Sequence, residues 1–200
     1  MPLGSGRKED EMLLIPWLTV LIYLIFAGFG WLVFRVFIRR DYLQMGRLTT
    51  LSSVLETTVF FVHGVISYLY LESEFPYMPP LEPRPVVNVI AFVLMGGGLI
   101  GVLLSMSRLG YGATMGQASG SVRRTGIYAV TRNPQIIFYT ILVLGYSLLW
   151  INWFTILWVL AYLFVVHMMV ITEEEYLTKL YMEEYVEYCQ EVPRYLFRVR

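Results

Sequence analysis

The sequence predicts an all-α integral membrane protein of about five transmembrane helices that ends in an amphipathic cytoplasmic helix. Three observations carry that expectation. Hydrophobic residues make up 57% of the 200-residue chain and charged residues only 15%, which is too apolar for an ordinary soluble domain. Five apolar blocks recur along the chain, most of them close to the roughly 20 residues a helix needs to cross a bilayer. The basic residues are divided unevenly between alternate connections, as the positive-inside rule leads one to expect. A formal net charge of zero invites no nucleic acid, and the single cysteine, Cys189, excludes an intramolecular disulfide.

Residues 1–12 read as a flexible N-terminus. Leu13 to Phe34 is a first uncharged span, too long for the core of a signal peptide. Arg35, Arg39, Arg40 and Arg47 form a basic connection to a second span, Leu48 to Leu71. That span carries Glu56 and His63, seven residues apart and so on one helix face. Ionisable groups inside a membrane usually face the bundle interior and often mark function. Glu72 to Pro85 is acidic and proline-rich, the composition of a non-helical external loop. Val86 to Met106 is a third span, with Gly96-Gly97-Gly98 in its middle. Residues 13–106 thus read as a three-helix scaffold.

Residues 107–200 read as a loop, a helical hairpin and a C-terminal helix. Ser107 to Asn133 is polar, with glycines at positions 110, 112, 116, 120 and 126 and four arginines. Pro134 to Trp150 and Trp153 to Ile171 are joined only by Ile151-Asn152. This pair either spans, with its tryptophans at the far interface, or stops short as a re-entrant hairpin. From Thr172 to Gln190 the pattern is amphipathic, with Leu177, Tyr181, Tyr185 and Tyr188 at helical spacing. Twelve basic residues lie in the connections after spans one, three and five, against three elsewhere. That asymmetry predicts an external N-terminus, with the glycine-rich loop and C-terminal segment in the cytoplasm.

The most specific stretch is Gly126-Ile127-Tyr128-Ala129-Val130-Thr131-Arg132-Asn133-Pro134, which closes the polar loop and opens the hairpin. Glu173-Glu174 follows the hairpin, and then Tyr185, Tyr188 and Val192-Pro193-Arg194. From Gly126 onward, over about the last 75 residues, the chain resembles the isoprenylcysteine carboxyl methyltransferase and phospholipid methyltransferase superfamily of integral membrane enzymes. Their signature is Gly-x-Tyr-x-x-x-Arg-His-Pro, a two-helix hairpin, a Glu-Glu pair, and Tyr-x-x-Tyr followed by Val-Pro-Arg. Looser agreement runs through Arg108-Leu109-Gly110. The resemblance implies S-adenosylmethionine as cofactor, held by the hairpin, the adjoining loop and the Glu-Glu helix. It also implies a lipid-borne or apolar methyl acceptor, either a prenylcysteine-type carboxylate or a phospholipid amine. Two positions depart from the signature: Asn133 stands for the family's His, and Ile136 for a Tyr two residues after the proline.

Carried onto this chain, the resemblance makes Gly126, Tyr128, Arg132, Asn133, Pro134, Glu173 and Glu174 cofactor-binding candidates. It also points to Gly96 and Gly98, because a Gly-x-Gly in the third span is assigned to the cofactor in the phospholipid methyltransferases. Gly97 and Gly101 alternatively form a Gly-x-x-x-Gly packing pattern. Asn133 before Pro134 suits a helix N-cap, with or without a cofactor contact. Arg132 reads equally as a cytoplasmic anchor, and the glutamates as the solvated start of a helix. His167 lies two turns before Glu174 on the same face, where it lines the pocket or bonds between helices. Glu174 and Arg194 are the candidate catalytic residues, Arg194 either as a holder of an anionic substrate or lipid phosphate or as a side chain that snorkels to the headgroups. No metal site is expected. Sterol reductases share a similar C-terminal half, including Tyr188-Cys189-x-x-Val192-Pro193, so an NADPH-dependent membrane reductase is the rival enzyme. A non-enzymatic membrane protein of the same fold is the other alternative.

The basic asymmetry makes a direct prediction about orientation. A membrane-impermeant thiol reagent applied to intact cells should label a cysteine placed at Glu74 or Asn152 and miss one placed at Gly120. External labelling at Gly120 would overturn the cytoplasmic assignment of the loop.

Overall fold

The protein is described by a computed structural model for residues 5–69, 71, 77–109 and 121–196, with side chains from Trp17 onward. All regular structure among these residues is helical. In lipid a helix satisfies every backbone N–H and C=O within one segment, so long apolar runs have little alternative. Helix α1 (Ser5–Leu32) passes without interruption through a π-helical turn (Val33–Ile38) into α2 (Arg39–Met45). Then come α3 (Thr50–Ile66), α4 (Pro85–Leu109), α5 (Pro134–Leu149), α6 (Trp153–Tyr181) and α7 (Glu183–Glu191). Short 3-10 turns cover Ser67–Leu69 and Gly126–Ala129. Of the expected glycines in the polar loop, those at 110, 112, 116 and 120 lie outside the described residues.

Among the described residues, four helices are long and apolar enough to cross a membrane: Trp17–Met45, Thr50–Leu69, Pro85–Leu109 and Trp153–Tyr181. Helix α5, at 16 residues, is only about 24 Å long, against roughly 30 Å of hydrocarbon. Of the about five expected spans, four among the described residues are thus long enough to cross, and the first arm of the expected hairpin is one short apolar helix. Helix α6 also runs ten residues past the expected end at Ile171. Nothing there stops it, since Glu173 to Leu177 are helix-compatible and the glutamates find partners sideways. The expected single amphipathic helix from Thr172 to Gln190 is instead cut at Met182, whose backbone is left-handed (φ 49). There α7 turns back so that Tyr185, Tyr188 and Val192 pack against Val122, Leu177 and Tyr181. Tertiary packing overrides a local helical pattern here.

The scaffold fixes α1, α3 and α6 against one another by close contacts. A Cβ on Gly30 would come within 2.6 Å of the Val165 side chain, so α1 and α6 cross there. Deeper in the bundle, His63 stacks on Trp158 with ring centroids 4.2 Å apart, and Trp158 Nε1 donates to the His63 carbonyl at 2.8 Å. At the other end of α3, buried Asp41 accepts hydrogen bonds from Thr49 N (3.1 Å), Thr49 Oγ1 (2.5 Å) and Ser52 Oγ (2.6 Å). Thr49 in turn caps α3 by accepting from Ser52 N. Gly46, with φ 67, makes the reversal between α2 and α3, and Tyr176 Oη donates to its carbonyl at 2.7 Å. These bonds tie the start of α3 to the far end of α6.

Helix α4 packs chiefly on α5, and glycines permit the approach. A Cβ on Gly98 would lie 2.7 Å from the Phe138 carbonyl oxygen and the Leu142 nitrogen. One on Gly101 would lie 2.2 Å from the Phe138 ring, and one on Gly145 2.8 Å from the Ala91 carbonyl. Gly96 and Gly97 face open space. The packing role expected for Gly97 and Gly101 thus falls on Gly98 and Gly101, one position round the helix.

Gly98→Ala should therefore cost about 1–3 kcal/mol, as overpacking against fixed backbone does. Gly97→Ala should be neutral or slightly stabilising. Thermal melting of the two variants in detergent decides between them, and equal melting would contradict this helix contact.

Candidate functional site

Glu173, Glu174 and Glu175 occupy successive positions on α6, each rotated about 100° from the last. They point in three directions. Glu175 pairs with Arg35 Nη2 at 2.7 Å and Arg39 Nε at 2.5 Å. Glu174 turns toward the segment before α5 and the segment after α7. Glu173 makes no hydrogen bond or ion pair among the described residues and lies within electrostatic reach of Glu56, Tyr42, Tyr128 and Tyr185. The reading of this pair as the solvated start of a helix is corrected, because α6 is continuous through it.

Glu174 is the hub of the site. Its Oε2 accepts from Arg194 Nε at 2.9 Å and Arg194 Nη2 at 2.7 Å. Its Oε1 lies 3.3 Å from Arg132 Nη1. That ion pair is not aligned as a hydrogen bond, and buried Oε1 has no hydrogen-bond donor among the described residues. Buried Arg132 Nε likewise has no acceptor there. An orphaned acceptor and an orphaned donor thus sit side by side in a buried charged cluster, where unmade bonds are costly.

The peptide on either side of Glu174 is stitched together. Arg132 N donates to the Pro193 carbonyl at 3.0 Å. Thr131 Oγ1 and Asn133 Nδ2 donate to the Arg194 carbonyl at 3.2 and 3.1 Å. Tyr188 Oη donates to the Tyr128 carbonyl at 2.6 Å. The Tyr128 hydroxyl, 3.3 Å from both the Ser105 carbonyl and Gln135 Oε1, joins the end of α4 to the start of α5. Glu184 Oε1 accepts from Val122 N at 3.1 Å, and Arg124 donates to the Glu184 carbonyl. His167 Nδ1 lies 3.0 Å from Tyr195 Oη, so the histidine is engaged with the C-terminal segment. Gly126 has φ 64, a conformation that favours glycine.

One expectation fails in detail. Asn133 occupies the N-cap position with Pro134 at the first helical position, yet its side chain makes no capping bond. Its amide is drawn to the Arg194 carbonyl, and its backbone (φ −126, ψ 58) is not the extended form typical of a cap. Arg132, read alternatively as an interfacial anchor, faces inward and also donates to Cys189 Sγ. Gly98 is committed to packing on α5, while Gly96 is open on α4. Thr131, Glu184, Arg124 and Tyr195 were not anticipated. Their bonds run to residues about 30 to 60 positions away, beyond the reach of periodicity or spacing.

Outside the spans, burial governs protonation. It pushes the Tyr188 phenol up to about 12 and raises those of Tyr185, Tyr128 and Tyr195 as well. Burial also raises the Cys189 thiol, against the opposing pull of Arg132. These groups are therefore neutral at physiological pH, and Cys189 is no thiolate nucleophile there. The Arg194 guanidinium is held charged by its hydrogen bonds to Glu174. Such a site suits binding and orientation of a polar, charged small molecule more than nucleophilic catalysis by the protein.

The family model described as phospholipid methyltransferase matches residues 86–184, just under half of the chain. The match takes in α4, α5, α6 and the Gly126–Pro134 turn, and ends before Cys189 and Arg194. No curated protein and no solved structure matches. The matched segment and the four apolar helices together support an integral-membrane, methyltransferase-like protein.

The Glu174–Arg194 contact can be measured. Hydrogen bonds to charged groups are worth about 1.5–3 kcal/mol. With the Arg194 side chain 38% exposed, solvent screening lowers that range, and Arg194→Ala should cost about 1–2 kcal/mol. In a double-mutant cycle with Glu174→Gln, thermal unfolding should show a coupling of at least about 0.5 kcal/mol. Strict additivity would mean that the two side chains do not meet.

Proposed function

We propose that this chain is a membrane methyltransferase that uses S-adenosylmethionine to methylate a lipid-borne or apolar acceptor at the cytoplasmic face. The observation that carries the reading is the pair of orphaned atoms, Glu174 Oε1 and Arg132 Nε, buried beside the turn that opens α5. The cofactor presents hydroxyl and amine donors together with a carboxylate, so it offers a partner to each. The residues suited to hold it are Glu174, Arg132, Asn133 and the Gly126–Tyr128 turn, with His167 and Arg194 closing the side toward the C-terminal segment.

When bound, the cofactor supplies an electrophilic methyl group on a sulfonium. The protein's part is positioning and exclusion of water, because the charge concentrated on sulfur is dispersed in the transition state whichever acceptor attacks. Tyr185, Tyr188 and Val192 form the apolar cover for that purpose, and α7 holds them over the segment at 121–134. Glu174, fixed by Arg194 at its other oxygen, is preorganised to accept rather than free to swing. A prenylcysteine-type carboxylate and a phospholipid amine are the two acceptor chemistries. The basic residues around this end of the bundle support a cytoplasmic site with the N-terminus outside.

Calorimetry on the detergent-purified protein tests the proposal. S-adenosylhomocysteine should bind and NADPH should not. Glu174→Gln should weaken S-adenosylhomocysteine by about 10- to 150-fold, the equivalent of one charged hydrogen bond. Exposed Glu183→Gln should leave it unchanged. Binding of NADPH in place of S-adenosylhomocysteine would favour the reductase reading, and binding of neither would favour a non-enzymatic membrane protein.

A further inference from the structure

The two orphaned atoms at the centre of the site, Glu174 Oε1 and Arg132 Nε, are closed off from solvent. A polar ligand that satisfies them comes from water, so some part of the surrounding wall has to move aside. The parts of that wall are not held equally. The segment after α7 is stitched to residues 131–133 by three hydrogen bonds onto the Pro193 and Arg194 carbonyls. Tyr195 Oη adds a fourth tie, 3.0 Å from His167 Nδ1. The turn before α5 is gripped by buried Tyr188, which donates to the Tyr128 carbonyl at 2.6 Å.

Residues 122–125 are held differently. Among the described residues no backbone–backbone hydrogen bond ties 122–124 to another segment. Val122 N donates to a Glu184 carboxylate oxygen at 3.1 Å, and the Val122 side chain rests on the cluster of Tyr185, Tyr188 and Val192. The other ties are those of Arg124. Its guanidinium donates to the Glu184 carbonyl and stands 3.6 Å from Glu187 Oε2 and 3.7 Å from Glu191 Oε2. It also lies 6.0 Å from the centre of the Tyr188 ring. The Glu187 and Glu191 side chains are 68% and 66% exposed, so water screens these pairs and they are weak. Next along the chain is Gly126 at φ 64. A Cβ there would meet nothing within 4 Å, so the position calls for glycine by its backbone alone. The segment covers Tyr188, whose hydroxyl grips the turn before α5. The following residue, Cys189, is the one that Arg132 contacts.

We propose that residues 122–125 form a latched strap that gates the Glu174 site, with Arg124 as the latch and Gly126 as the hinge. Arg124 is a positioning residue, acting on the site without touching its ligand. The strap is shut in both the free and the bound protein and lifts to let the ligand pass. The inference rests on the methyltransferase reading only for the identity of that ligand. Such a latch leaves a kinetic signature that a binding contact does not. Weakening a latch speeds entry and exit together, whereas losing a contact chiefly speeds exit. Cys189, the only cysteine of the chain, packs on the cluster that the strap covers and reports on the strap directly.

The test uses the full chain in detergent, with S-adenosylhomocysteine and a thiol-alkylating reagent as probes. In Arg124→Gln, the association and dissociation rate constants for S-adenosylhomocysteine should each rise about 3- to 10-fold while Kd stays within about threefold of wild type. Alkylation of Cys189 in the ligand-free variant should quicken by a similar factor. The double variant Glu187→Gln/Glu191→Gln, altered only at exposed positions, should shift all three rates the same way and guards against misfolding of Arg124→Gln. Raising the salt concentration should speed both binding rates in wild type and leave them unchanged in Arg124→Gln. Wild-type rates in folded Arg124→Gln and in the double variant overturn the inference. Faster dissociation with unchanged association also overturns it, because Arg124 would then be a ligand contact. If wild type binds no S-adenosylhomocysteine, the methyltransferase reading falls, and the alkylation rate of Cys189 decides the strap by itself.

Discussion

A carboxylate that is nine-tenths buried needs positive charge brought to it, and Glu174 organises its end of the molecule on that account. Arg194 comes from the segment after α7, Arg132 from the turn before α5, and both converge on the same side chain. Each brings its backbone with it. The Pro193 and Arg194 carbonyls accept from Arg132 N, Thr131 and Asn133, so peptides some 60 residues apart lie side by side. The ion pair is a weak source of net stability, since desolvation offsets much of the attraction. Its value is positional, because a displaced arginine would leave a buried charge uncompensated.

The two other glutamates extend the same logic in opposite senses. Glu175 is fully matched by Arg35 and Arg39, and the π turn at Val33–Ile38 is what carries Arg35 to it. Thr172 also meets that turn, 3.2 Å from the Phe34 carbonyl and 3.1 Å from Arg35 Nη1. Glu173 has no ion pair among the described residues. One run of three identical residues thus yields a clamp on the π turn and α2, a hub that gathers two arginines, and a carboxylate without a counter-ion there. Helix geometry alone separates the three roles.

Much of this was legible in the sequence, and the rest was hidden for definite reasons. Apolar runs located the long helices because lipid leaves the backbone no alternative, and the Gly126–Pro134 stretch was rightly singled out as the opening of α5. The length of α6 was not legible, because charged residues that end a span do not end a helix. The break at Met182 was invisible for the converse reason, as the amphipathic pattern continues through it while α7 folds onto Val122. Asn133 has the right type and place for a cap, yet a carbonyl 61 residues away in sequence claims its amide.

The unbroken length of α6 carries a mechanical consequence. Twenty-nine residues make a rod of about 43 Å, some 13 Å longer than the hydrocarbon of an average bilayer. The glutamates ride near one end of that rod, so their height above the lipid tails depends on how the apolar portion settles in the membrane. A thicker bilayer draws them down toward the headgroups, and a thinner one lifts them into water or tilts the rod. Bilayer thickness thereby becomes a control on how deep the Glu174 cluster sits relative to the headgroups.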